Sequence, residues 1–220
     1  MKNSVFKKAL VDTLPVMSGY LVLGIGFGVI LHSKGFGVLY ATSMSIFIYA
    51  GSMQYVGIDL LTSGASLITA ALTTLLVNSR HIFYGISMVD TYKPLKYKNV
   101  LAFLLTDETY SLVCTDTIKD EKYYLYVSLL DYSYWVFGSI IGSVLGSVIP
   151  FSTEGIDFAL TALFITVFVE QWLSNKNHIP AIIGVVVSIV CLMIFGASSF
   201  LIPTMILITI ALFVYKKVGK

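Results

Sequence analysis

Charge is the scarcest thing in this 220-residue sequence: Asp, Glu, Lys and Arg make up 12%, about half the usual share. Hydrophobic residues make up 57%, and the mean hydropathy is +0.87. That shortage argues against a soluble fold, because a core this apolar needs polar residues to coat it. The uncharged runs at 13–31, 38–58 and 179–215 leave none. Each reaches the roughly 20 residues that cross about 30 Å of hydrocarbon, and the third is long enough for two crossings.

Cysteine is nearly absent too. Cys114 and Cys191 both lie in apolar surroundings and suggest neither a disulfide framework nor a zinc site. The three histidines, His32, His81 and His178, lack a ligand spacing such as His-x-x-x-His, so no metal or cofactor is expected. No Gly-x-x-x-x-Gly-Lys-Ser/Thr motif occurs, which argues against ATP hydrolysis by this chain. The net charge of +2 comes from Lys2, Lys7 and Lys8 at one end and Lys216, Lys217 and Lys220 at the other. Basic ends flanking apolar segments suit the cytoplasmic leaflet of a bilayer better than nucleic acid. The first apolar run has spanning length, so it reads as a retained helix and not a cleaved signal.

Against this background, Asn78-Ser79-Arg80-His81 stands out, lying between the uncharged runs 60–79 and 82–89. An intramembrane cation costs roughly 2.5–3.5 kcal/mol on insertion scales, so it normally faces a bundle interior and has a partner. The apolar pattern predicts helices over 13–31, 38–58, 65–89, 100–115, 123–149 and 157–173, then two within 179–215 interrupted around 196–203. The middle of the second, Tyr49-Ala50-Gly51-Ser52-Met53-Gln54-Tyr55, is its least apolar part. It reads either as a broken helix lining a substrate site or as a continuous helix making interhelical hydrogen bonds. In the third, Asn78, His81 and Gly85 share a face, and Arg80 and Tyr84 form an adjacent i, i+4 pair.

The fourth carries Asp107 and Glu108 side by side in an apolar run. Both cannot cheaply be ionised there, so either a cation or a proton neutralises one of them. Arg80 is the expected cation, with His81 a second candidate donor. Gly24 and Gly28 on the first helix, and Gly138, Gly142 and Gly146 on the fifth, mark close-packing faces. They suit either intrachain packing or a neighbouring subunit's helix. Glu170-Gln171-Trp172 occupies an aromatic-belt position. A shift of 117 residues lays Phe47, Ile48, Gln54 and Tyr55 over Phe164, Ile165, Gln171 and Trp172. This faint match suggests half-repeats 10–95 and 125–215 within one domain, 1–220, although coincidence explains four matches as well. Seven or eight spans are expected, but no topology puts every lysine-bearing loop inside.

The run Leu14-Pro15-Val16-Met17-Ser18-Gly19-Tyr20, then Tyr49-Ala50-Gly51-Ser52-Met53-Gln54, Asn78-Ser79-Arg80-His81-Ile82-Phe83-Tyr84 and Thr106-Asp107-Glu108-Thr109-Tyr110, resembles the AzlC family. Met53 stands where Ala is commoner in that family. The resemblance implies an all-α, polytopic membrane bundle, the large subunit of a branched-chain amino acid exporter of the bacterial plasma membrane. It also implies a small AzlD-type membrane partner. Proton coupling is expected with it, through His81, Asp107 and Glu108. Leucine, isoleucine, valine or similar substrates would then meet Tyr49, Gly51, Ser52, Gln54, Asn78, Arg80 and Tyr84. A scaffold subunit without its own substrate site, and an intramembrane enzyme, are the alternatives.

Overall fold

The structure, a computed structural model, describes residues 2–114, 120–148, 165, 168–169, 172–173, 176–196 and 200–218. Among them there are eleven helices with defined bounds and no strand. The chain divides into two compact units, residues 1–160 and 161–220. The first contains α1 (Lys2–Asp12), α2 (Leu14–Ser33), α3 (Val38–Phe47), α4 (Gly51–Thr62), α5 (Leu67–Val77), α6 (Ser79–Tyr92), α7 (Lys98–Phe103), α8 (Asp107–Cys114) and α9 (Glu121–Val148). The second contains α10 (Ile179–Phe195) and α11 (Leu201–Val218). Most of the expected helix at 157–173, with Phe164, Glu170 and Gln171, lies outside the described residues, and so does that half of the repeat.

The first unit is built on the crossing of α2 and α9, where glycine removes the side chains that would hold two backbones apart. A Cβ on Gly28 would come within 2.3 Å of the Ser139 carbonyl oxygen, and one on Gly142 within 2.1 Å of the Ile25 carbonyl oxygen. Gly24 lies against Gly138 in the same way. The two glycine faces read from the sequence therefore meet each other, and neither supports a partner subunit. Around this axis α9 also packs against α1, α3, α7 and α8. α1, which the apolar pattern did not predict, is fixed to α9 by Asp12. Its carboxylate accepts hydrogen bonds from Lys8 (2.8 Å) and from the Tyr123 hydroxyl (2.7 Å).

Three of the expected long helices are interrupted. The 38–58 helix breaks at residues 48–50, the 65–89 helix at Asn78 and the 100–115 helix at residues 104–106. The last two, expected to be continuous, are corrected by this finding. Within the second unit, Gly196 ends α10 at a φ of 71°, a conformation that disfavours any side chain. Apolar side chains cover much of the outside: α5 has no buried residue, and Leu67 and Ile68 are largely exposed. By length and apolarity one described helix, Leu14–Ser33, is able to cross a bilayer unaided, while Val38–Phe47, Leu67–Val77 and Ile179–Phe195 are apolar but shorter. Among the described residues the expected seven or eight full-length spans are not seen as such, and the breaks divide three of them.

Overpacking a well-filled contact costs about 1–3 kcal/mol, and more where the obstacle is backbone. Gly28→Ala or Gly142→Ala is therefore expected to lower the thermal stability of the purified protein in detergent and reduce the monodisperse fraction. Gly19→Ala, on α2 with nothing within 4 Å of its Cβ, is expected to be neutral or stabilising by about 0.5–1 kcal/mol, since it removes only unfolded-state freedom.

Candidate functional site

Each break in the first unit has identifiable contacts around it. At the first, Tyr49 has a φ of 43°, a conformation that costs a non-glycine residue about 1–3 kcal/mol and persists only where the surroundings impose it. Trp135 of α9 imposes it in part. Its ring fills the space beside Gly51, where a Cβ would come within 2.9 Å, and its indole N–H donates to Gln54 Oε1 at 2.8 Å. The Gln54 amide in turn donates to Ser45 Oγ at 3.0 Å, joining α4 to α3 across the break. Tyr132 stacks edge-on against Tyr49 and donates to the Ile46 carbonyl oxygen, which the break has released from the helix.

The second break is one residue wide. Asn78 leaves the helix at φ −92°, ψ 5°. Its carbonyl oxygen accepts from the His81 N–H at 2.9 Å, while its side-chain oxygen is buried without a partner. At the third break Thr106 caps α8, its hydroxyl oxygen accepting the Thr109 N–H at 3.3 Å. Asp107 and Glu108 then fall in the first turn of α8, where the helix dipole favours negative charge.

Arg80 joins the three. From the first turn of α6 its Nη1 donates to Asp107 in the first turn of α8, and its Nη2 donates to Ser52 Oγ in the first turn of α4 at 2.8 Å. Three helix N-termini and a guanidinium bring four positive ends together. The adjacent acidic residues on α8 supply the opposing charge. Arg80 therefore meets a carboxyl, as the sequence requires of an intramembrane cation, and that carboxyl is Asp107. Glu108 turns away and accepts from the Tyr20 hydroxyl of α2 at 2.6 Å.

A cavity of about 480 Å³ opens beside the three breaks, within the roughly 300–1,000 Å³ of small-molecule sites. Tyr49, Asn78 and His81 line it, with Gly85, Lys93, Lys98 and the apolar side chains of Ile48, Ala50, Met88, Phe103 and Leu105. The remaining expected site residues are not among its lining. Gly51 accommodates Trp135, and Ser52, Arg80 and Asp107 form the connection between helix ends. Tyr84 stacks on Tyr110. Gln54 is fully buried, its amide bonded to Trp135 and Ser45, and it is not among the residues lining the cavity. His81 contacts the Asn78 carbonyl oxygen at 3.3 Å and forms no bond to either carboxyl.

Asp131 is not among the residues expected from the sequence. It is fully buried on α9, where its Oδ2 accepts from Thr109 at 2.8 Å and its Oδ1 has no partner. The signal was present, because Asp131 is the lone charge between Lys122 and the end of α9.

Hydrogen bonds to charged groups contribute about 1.5–3 kcal/mol. Arg80→Gln, which leaves Asp107 unpaired, is accordingly expected to lower thermal stability by an effect of that size. Adding Asp107→Asn should recover much of the loss, whereas adding Glu108→Gln should not, because Tyr20 and not Arg80 satisfies Glu108. Equal rescue by both, measured by thermal shift in detergent, would show that Asp107 is not the specific partner.

The family model described as AzlC protein matches residues 15–149, which include all three breaks and Asp131. The chain is 42% identical over 217 residues to the branched-chain amino acid transport protein AzlC of Bacillus subtilis, covering 96% of this chain and 85% of that one. An uncharacterized membrane protein of Helicobacter pylori (strain 26695) is likewise 42% identical, over 96% of this chain and 95% of its own. The inner membrane protein YgaZ of Escherichia coli K12 is 29% identical over 187 residues, 80% of this chain and 76% of its own. No solved structure matches. On the extent of the family match and these identities, the chain belongs to the AzlC family.

Proposed function

We propose that this chain is the transporting subunit of a secondary exporter for branched-chain or similar apolar amino acids in the bacterial plasma membrane. It uses the proton gradient and works with a small AzlD-type membrane partner. The observation that carries this reading is the cavity beside three helix breaks that share one guanidinium. Broken helices are tolerated at membrane depth where they are buried in protein or line a cavity, and their free backbone groups and dipole ends bind ionic parts of substrates. An amino acid presents an ammonium, a carboxylate and an apolar side chain. The Asn78 side-chain oxygen and the backbone of the breaks offer acceptors for the first. Lys93 and Lys98 offer positive charge for the second, and Ile48, Met88, Phe103 and Leu105 an apolar wall for the third.

In this reading α3–α4, α5–α6 and α7–α8 each cross as a broken pair, which restores spanning length to segments that are too short singly and gives a multi-pass protein. The printed name of the Bacillus subtilis relative, a branched-chain amino acid transport protein, supports the substrate class. The composition supports the membrane.

The test is counterflow of labelled leucine in vesicles. Vesicles carrying this chain with an AzlD-type partner are expected to show saturable leucine counterflow, which Arg80→Gln abolishes. Vesicles with either subunit alone should show none. Full counterflow by the partner alone would make this chain a scaffold, and full counterflow by this chain alone would remove the partner from the proposal.

A further inference from the structure

A continuous line of oxygen atoms, buried except at its Glu108 end, connects two carboxyls on different helices. Glu108 Oε2 is 2.6 Å from the Tyr20 hydroxyl, which is 2.7 Å from Thr106 Oγ1. Thr106 Oγ1 is 3.2 Å from Thr109 Oγ1, which is 2.8 Å from Asp131 Oδ2. Tyr20, Thr106, Thr109 and Asp131 are all buried, so the line runs through the interior from the partly buried Glu108.

The line makes four oxygen–oxygen links, but its three hydroxyls supply three protons. If both carboxyls were ionised, Tyr20 would donate to Glu108 and Thr109 to Asp131. The single Thr106 proton would then have to serve two links. One additional proton, on either carboxyl, gives every link a donor and an acceptor. The surroundings favour the same occupancy. Asp131 is fully buried, its Oδ1 has no partner, and among the described residues no cation pairs with it. An unpaired buried carboxylate costs far more than a neutral carboxyl with one unpaired oxygen. The charged and titratable groups facing the line are Arg80 and Asp107 beside Glu108, which pair with each other, Tyr84 of α6, within electrostatic reach of Glu108, and Tyr49 from the first break, within electrostatic reach of both carboxyls.

We propose that Glu108 and Asp131 share one proton along the hydroxyl chain Tyr20–Thr106–Thr109, with Asp131 as the inner proton-holding carboxyl. Transfer conserves every group. The proton leaves Glu108 for the Tyr20 oxygen, the Tyr20 proton moves to Thr106, that of Thr106 to Thr109, and that of Thr109 to Asp131 Oδ2. Four O–H bonds break and four form, all three hydroxyls are regenerated, and no electrons are exchanged. Glu108 stands next to the Arg80–Asp107 pair, and Asp131 lies inside α9. The chain therefore carries a proton from the helix-end cluster into the protein core and back. Its use in export rests on the proton-coupled reading above; the shared proton does not.

The test is infrared spectroscopy of the purified full chain at neutral pH, with carboxyl carbons isotopically labelled in aspartate or in glutamate. The expected result is a protonated-carboxyl carbonyl band of one group per chain, part of which shifts with each label. The band is expected to vanish in the Glu108→Gln/Asp131→Asn double variant. Thr109→Val, which cuts the line without changing charge, is expected to make the band respond to one label only. Absence of the band in the wild type, its persistence in the double variant, or a wild-type response to one label alone overturns the shared proton. The coupling reading fails separately. If leucine transport by the wild type ignores an imposed pH gradient while the band responds to both labels, export is not proton-driven and the shared proton stands.

Discussion

A guanidinium in an apolar setting must find acceptors, and Arg80 finds two, each in the first turn of a different half-helix. Removing the charge would leave Asp107 unpaired and free Ser52. The three chain breaks would then be held only by their local contacts: Gln54 with Trp135 at the first, Asn78 with His81 at the second, and the Thr106 cap at the third. Those contacts keep each break open, while Arg80 sets the breaks against one another. The cavity lies where they come together, and its shape follows from that arrangement.

The connection needs a rigid support, which the α2–α9 crossing supplies. Glycine-mediated backbone contact brings α9 close enough for Trp135 to reach Gly51 and for Asp131 to reach Thr109. α2 in turn presents Tyr20 to Glu108. Packing at the crossing and polar chemistry at the breaks are thus one system, because a helix displaced at Gly142 would carry Trp135 and Asp131 with it.

Much of this was legible in the residues. The lone intramembrane cation, the adjacent carboxyls and the glycine spacings identify the contacts that matter, and the four motifs identify the family. The break at Asn78 was not legible, because a residue at φ −92° carries no proline or glycine signal. The place of Gln54 in the first break was not legible, because a polar residue amid apolar ones fits substrate contact and helix stapling equally well, and its bonds to Trp135 and Ser45 emerge only in the fold. Asp131 belongs to none of the four motifs, and only the structure shows it buried against Thr109. The glycine faces were read correctly as close contacts, but sequence spacing does not say whose helix fills them.

The most direct test of this account is a double-mutant cycle between Arg80→Gln and Ser52→Ala, measured as the unfolding free energy of the purified protein. Two residues joined by a hydrogen bond across separate helix ends are expected to show a coupling of about 0.5–3 kcal/mol. Additive losses, with no coupling beyond error, would show that Arg80 does not tie the first break to the other two.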